Sequence, residues 1–238
     1  MKKQLLIIFL LLLCLSHVCN AGMIIRRFTP EVGGSVILSA ELHREDIANN
    51  YADKTLTLPV GTSINIGERV VVLCALISTT TTIDSAYDSQ SNTYSVDATY
   101  MYNGARMAVV SSVLTSPLGA SDTITVTVSV TGYSGIDVAV YKITNQTGIE
   151  GTTANNGGYG SVITIPGAIT ISPAVLIGLG NAQSATILTS EWSYSALMNT
   201  GGRNVYPMYT TTTAAGAQDP AATLSSSQSW GGVWVAYY

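Results

Sequence analysis

The chain has 238 residues with 10 basic and 14 acidic side chains, a formal net charge of −4, and only 10% charged residues against 47% hydrophobic ones. That balance lacks the basic footprint of a nucleic-acid binder and holds too much apolar material for a disordered chain. Solubility must then come from hydroxyls and amides, a profile that suits a rigid extracellular β protein.

In chain order, the first residues read as a secretory leader. Lys2 and Lys3 make a positive start, residues 5–15 are an apolar run, and Cys19, Asn20 and Ala21 form a small-residue cleavage site, so residues 1–21 are expected to be a signal peptide. The run is shorter than the ~20 residues a membrane helix needs, and no later stretch comes closer, so no membrane span is expected after the leader. A lipoprotein cysteine is the competing reading, but Leu13 and Val18, which precede Cys14 and Cys19, are not small. Removing Lys2 and Lys3 takes the basic count from 10 to 8 against 14 acids, so residues 22–238 carry −6 and form one expected domain. Of the three cysteines only Cys74 then remains. Between Leu73 and Ala75 it reads as a small buried hydrophobe, so packing and not a disulfide must hold the fold.

Residues 22–53 make a lead-in segment, with a strand over 35–41 and a charged helical turn or loop over 41–51. Residues 54–59 alternate into a second strand. The centre of the chain follows. Residues 68–78 and 105–114 are dense β-branched runs that read as strands buried on at least one face. Between them lie a polar loop over 79–92 and a strand over 93–101 with one wet face. Residues 122–131 alternate cleanly, with Ile124, Val126, Val128 and Val130 facing a core and threonines facing water. Residues 136–144 form another strand, and 145–160 read as a long loop rich in glycine and asparagine. Short strands over 161–165, 169–171, 174–179, 185–189, 191–194, 204–209, 221–225 and 230–238 complete the set. No helix of ordinary length and no repeat of fixed period is visible. The expectation is an all-β, antiparallel two-sheet sandwich.

The order Val60-Gly61, Ile66-Gly67-Glu68, Asp84-Ser85, Ser91-Asn92-Thr93-Tyr94, Gly104-Ala105-Arg106, Asp122-Thr123-Ile124 and Ala222 to Ser225, closed by Trp230 to Tyr237, resembles the jelly-roll domains of bacterial secreted and surface proteins. Those are similar in outline to concanavalin-like sandwiches. The resemblance spans residues 56–238 and departs from the pattern between Asp84 and Tyr94, where a turn is lengthened and its glycine is missing. It implies a jelly-roll fold and a surface location, not an activity.

Catalytic constellations are scarce. His43 is the one histidine after the leader and sits among Glu41, Arg44, Glu45 and Asp46, so it reads as solvated surface. Neither a zinc site of several imidazoles nor a serine triad independent of it is available. Residues 132–135 fall one short of a nucleophile elbow and read as a turn. Gly178, Gly180 and Gln183 faintly follow a dinucleotide fingerprint but lack its third glycine and read as a strand-end turn. No enzyme and no cofactor are expected. Asp84, Asp88 and Asp97, with Asn92, are the residues that could offer oxygens to calcium, although Asp and Asn also shape turns. Glu191, beside Trp192, is the one carboxylate set as in a sugar cleft.

Aromatic residues give the better lead. Trp192 and Tyr194, two apart, would share one face and stack on sugar rings, with Arg203 and Asn204 in the neighbouring turn supplying hydrogen bonds. Trp230, Trp234 and Tyr238 read as core, because glycine and valine interleave with them. Asn145 begins a glycosylation sequon. The functional expectation is a secreted, non-enzymatic surface binding or adhesion module whose partner is a glycan or an extracellular surface protein. A self-assembling extracellular subunit, paired through Thr/Val-rich edge strands, is one alternative. A small outer-membrane β-barrel is the other, disfavoured because residues 70–77 are apolar on both faces.

Overall fold

The structure is a computed structural model that describes residues 39–48, 55–78, 80–129, 136–146, 148–194, 198–200 and 203–238. The expected leader, Val130 and the turn over 132–135 lie outside them. Among the described residues the chain is all-β, with antiparallel pairing throughout. In order the strands are β1 (Ser39–Ala48), β2 (Thr55–Pro59), β3 (Arg69–Ile77), β4 (Ile83–Asp88), β5 (Ser95–Tyr102), β6 (Ala105–Val113), β7 (Thr123–Val128) and β8 (Ile136–Thr144). The second half adds β9 (Ile149–Thr164), β10 (Gly167–Ile169), β11 (Ala174–Gln183), β12 (Ile187–Ser190), β13 (Ser193–Tyr194), β14 (Met198–Thr200), β15 (Arg203–Thr212), β16 (Gly216–Gln218) and β17 (Ala221–Tyr237).

A central sheet runs β1-β8-β3-β6-β5, and a small sheet runs β2-β7-β4. A large sheet runs β12-β17-β11-β15-β13, with β9 paired to β17 and β14 to β15, and β10 pairs with β16. The apolar run of β3 explains the stacking. Successive side chains of a strand point to opposite faces, so an unbroken apolar run suits a strand buried on both. Val70, Val72, Cys74 and Leu76 pack with Leu58, Ile124 and Val126 of the small sheet. Val71, Leu73 and Ala75 pack with Val175, Ile177 and Val233 of the large sheet. The central sheet therefore lies between two apolar layers, and three sheets stack where two were expected.

A third cluster fills the other face of the large sheet, with Leu176, Tyr206, Met208, Trp230 and Trp234 meeting Ile163, Ile165 and Trp192. β12 and β13 are separated in sequence by Glu191 and Trp192 alone. β12 pairs with the start of β17 on the side that β11 takes farther along, and β13 pairs with β15 on the side away from β11. Three peptide steps reach roughly 10 Å at most, so the start of β17 bends toward β15 around this cluster. Buried indoles are satisfied there: Trp234 Nε1 donates to the Ile165 carbonyl at 2.8 Å and Trp192 Nε1 to that of Pro220 at 2.9 Å.

Several local expectations are corrected. The charged stretch over 41–46 is strand, not a helical turn or loop, because β1 pairs with β8 along its length and bulges between Leu42 and Arg44, at His43. The loop over 79–92 contains β4, whose Ile83 and Ala86 join the first core. Most of the expected loop over 145–160 is β9, a 16-residue strand held by β17. Gly178 and Gly180 lie inside β11, not in a turn at its end. Thr125 is buried, its hydroxyl 2.8 Å from that of Thr57.

Candidate functional site

The four residues expected to bind ligand do not make one exposed face. Trp192 is 3% exposed and belongs to the third core, whereas Tyr194 is 45% exposed, its ring edge-on to Tyr206 at 6.2 Å. Trp192 precedes β13, in the short connection from β12, so strand alternation does not relate the two side chains. Asn204 is buried and donates from Nδ2 to the Ala185 carbonyl at 2.7 Å, a role inside the fold. Arg203 alone stays at a rim. It is half-buried, and its Nη2 donates to the carbonyl of Asn103. Burial lowers the pKa of its guanidinium.

The oxygen ligands considered for calcium are occupied by protein donors. Asp88 accepts from the Gln90 and Asn92 amides at 2.9 and 3.0 Å, from Asn92 Nδ2 at 2.9 Å and from the Tyr94 hydroxyl at 3.1 Å. Asn92 Oδ1 in turn accepts from the Thr115 and Ser116 amides at 2.8 and 2.9 Å. This is turn chemistry joining two loops. Asp84 accepts from the Thr82 hydroxyl, and Asp97 from the hydroxyls of Ser95 and Tyr237. Glu191 lines an open groove of 240 Å³ with Thr211, Gln218 and Asp219, and its Oε2 accepts the Ala221 amide at 2.8 Å.

A different aromatic face emerges at the edge of the central sheet. β5 turns into β6 through Asn103 and Gly104, both with positive φ of 47° and 79°, the geometry a two-residue hairpin turn demands. Tyr100 and Tyr102, on one face of β5, are stacked with centroids 6.4 Å apart and planes 16° apart. Tyr102 rests on Gly157 of β9 and Gly231 of β17, which pair with each other. A Cβ on Gly157 would stand 2.4 Å from Tyr102 Cδ2, and one on Gly231 2.8 Å from Tyr102 Cβ, so a side chain at either position would displace Tyr102 or the strand. Tyr159 lies two residues beyond Gly157 on the same face of β9 and is 76% exposed.

Behind Tyr102, between central and large sheets, two polar side chains place buried atoms beside the apolar second core. Asn181 of β11 is fully buried and donates from Nδ2 to Met107 Sδ at 3.2 Å, while its Oδ1 has no hydrogen-bond partner among the described residues. Arg203 Nη1 is likewise buried without an acceptor. Asn181 pairs with Val205 and with Gly231, and Arg203 is two residues from Val205 on the same face, so the two orphaned atoms belong to diagonal neighbours beside Tyr102.

No protein family, curated protein or solved structure matches this chain. Function is therefore argued from the site. Sequence reading missed Tyr100, Tyr102, Tyr159 and Asn181. An available signal was the Asn103-Gly104 dipeptide, which marks a hairpin and places the alternate tyrosines before it on one face. The glycine floor had none, since it depends on which strands meet.

Proposed function

We propose that the protein is a non-catalytic carbohydrate-binding module that engages a glycan chain across Tyr100, Tyr102 and Tyr159. The observation that carries this reading is the seating of Tyr102 on paired glycines, with Tyr100 stacked on it and Tyr159 exposed two residues beyond Gly157 on the same face of β9. Tyrosine offers an apolar ring for the C–H face of a sugar and a hydroxyl for its polar rim. An open face suits a chain lying across it better than a small molecule that needs enclosure. Glu191, the carboxylate considered for glycoside cleavage, accepts the Ala221 amide at 2.8 Å.

The test is binding of the full chain to a polysaccharide panel by calorimetry. Tyr159→Ala should weaken binding at least tenfold, about 1.4 kcal/mol, without changing the thermal midpoint. Binding untouched by Tyr100→Ala and Tyr159→Ala together, or glycan hydrolysis abolished by Glu191→Gln, would overturn the proposal.

A further inference from the structure

β5 is an edge strand of the central sheet, with β6 on one side and no strand paired on the other among the described residues. Its ladder with β6 is regular but for one place: Val96 pairs with Val110 and Ala98 with Val109, which leaves Asp97 as an extra residue. Directly opposed residues share a face of the sheet. Val110 belongs to the first core and Val109 and Met107 to the second, so Val96 lies toward the small sheet, and Ala98 and Tyr100, which oppose the latter two, lie toward the large sheet. A bulge re-aims the side chain it inserts, and this one carries Asp97 to the large-sheet side as well. There Asp97 Oδ2 accepts the hydroxyl of Tyr237 on β17 at 2.6 Å, while Oδ1 accepts the Ser95 hydroxyl at 3.0 Å.

Tyr237 is a firm anchor. It is fully buried, with the Arg69 guanidinium 5.0 Å from the centre of its ring, and Arg69 is itself held by Ser111 at 2.8 Å and Gln146 at 3.1 Å. At the other end of β5, Tyr102 rests on Gly231 of the same β17. The edge strand is thus tied to the large sheet by a hydrogen bond at one end and by a ring on glycine at the other, with Tyr100 between them. The hairpin turn at Asn103 and Gly104 fixes the register of the tyrosines and so the face they take, but it does not set how closely β5 approaches the sheet stacked on it.

We infer that Asp97 is a positioning residue for the tyrosine face: through Tyr237 it holds β5 against β17 and so keeps Tyr100 and Tyr102 in place relative to Gly157, Gly231 and Tyr159. The inference rests on the carbohydrate reading of that face, and Asp97 acts through the strand, not on the sugar. A bulge locally disrupts the ladder, which leaves this stretch of an edge strand more dependent on contacts outside its own sheet. Here Asp97 is both the extra residue and the contact.

The deciding experiment measures binding of β-linked hexaoses of glucose, xylose, mannose and N-acetylglucosamine by calorimetry on the full chain, and follows the tightest of them through a set of variants. Asp97→Ala should weaken it about threefold to tenfold, the range that loss of one hydrogen bond spans. Tyr237→Phe, which removes only the donor, should do the same, and the two together should be no worse than either. Asp97→Asn, which keeps an oxygen for the Tyr237 hydroxyl, should stay within about twofold of the unaltered chain. Tyr100→Ala should cost less in the Asp97→Ala background than in the unaltered chain, whereas the cost of Tyr159→Ala, on β9, should be the same in both. A merely structural Asp97 would leave both costs unchanged. With Tyr159→Ala still weakening binding, three results overturn the positioning role and leave the tyrosine face standing: unaltered affinity in Asp97→Ala, an Asp97→Asn chain as weak as Asp97→Ala, or an undiminished cost of Tyr100→Ala in the Asp97→Ala chain. If no hexaose binds, or Tyr159→Ala changes nothing, both readings fall.

Discussion

At Gly157 the missing side chain sets the position of a ring. With a Cβ standing 2.4 Å from Tyr102, Gly157→Ala forces the ring or the strand to shift. Overpacking of this kind costs about 1–3 kcal/mol, read as a lower urea midpoint. Adding Tyr102→Ala should recover most of that loss, because residues in contact do not contribute additively. If the double variant is no better than the sum of the singles, Tyr102 is not what the glycine accommodates. Asp122 gives a prediction of a different kind. Its carboxylate accepts from Gln90 Nε2 at 2.9 Å, the Gly119 amide at 2.7 Å and the Ser89 hydroxyl at 2.7 Å, and these bonds, Gln90 foremost, hold its pKa below the usual range. A carboxyl whose pKa is lowered on folding stabilises the fold above its unfolded pKa, near 3.9, and that contribution is lost as pH falls through the folded value. The urea midpoint should drop below about pH 4, and less steeply in Asp122→Asn.

Among the elements, β3 is the clearest case of a strand serving two cores. Leu73 and Leu76 are both fully buried, yet one belongs to the cluster shared with the large sheet and the other to the cluster shared with the small sheet. Each Leu→Ala change should cost roughly 2–5 kcal/mol by chemical denaturation. Because the two cavities open on opposite faces, the double variant should equal the sum of the singles within about 0.5 kcal/mol. A larger coupling would mean that the two cores repack as one. The contrast with β9 is instructive. Its residues alternate no apolar face, since Gly157 lies beneath Tyr102, Gly158 faces Trp230 and Tyr159 meets solvent. Its strand character comes from pairing with β17 over most of its length, a partner far along the chain that local rhythm does not reveal.

For the molecule as a whole, the stacked sheets bury groups that must stay protonated. Tyr237 is fully buried, donates to Asp97 Oδ2 at 2.6 Å, and has the Arg69 guanidinium 5.0 Å above its ring, with Arg69 Nη1 bonded to Ser111. Burial first and the Asp97 charge second push the Tyr237 hydroxyl well up, and burial alone does the same to the Cys74 thiol. Tyr94 is raised by burial and by Asp88. For groups whose pKa rises on folding, the stabilisation is complete below the unfolded pKa, about 8.5 for cysteine and 10 for tyrosine, and is lost as pH climbs above it. The urea midpoint should therefore hold to about pH 8.5 and then decline, and Cys74→Ala should delay the decline to about pH 10. A midpoint that stays flat to pH 11 would contradict this burial pattern.

By itself the sequence determined the strand class, because period-two apolar alternation and β-branched runs are local consequences of a pleated backbone with two faces. It located the strand around Cys74 and the full span of β8, and it marked Trp230 and Trp234 as core. Only the tertiary structure decided how many sheets stack and which aromatics reach solvent. Trp192 was drawn inward in the short connection between β12 and β13, Asn204 was spent on the Ala185 carbonyl, and Tyr102 was set on two glycines from separate strands. Those outcomes follow from which strands pair across long stretches of chain, and a side chain's surroundings are settled by that pairing, not by its neighbours in sequence.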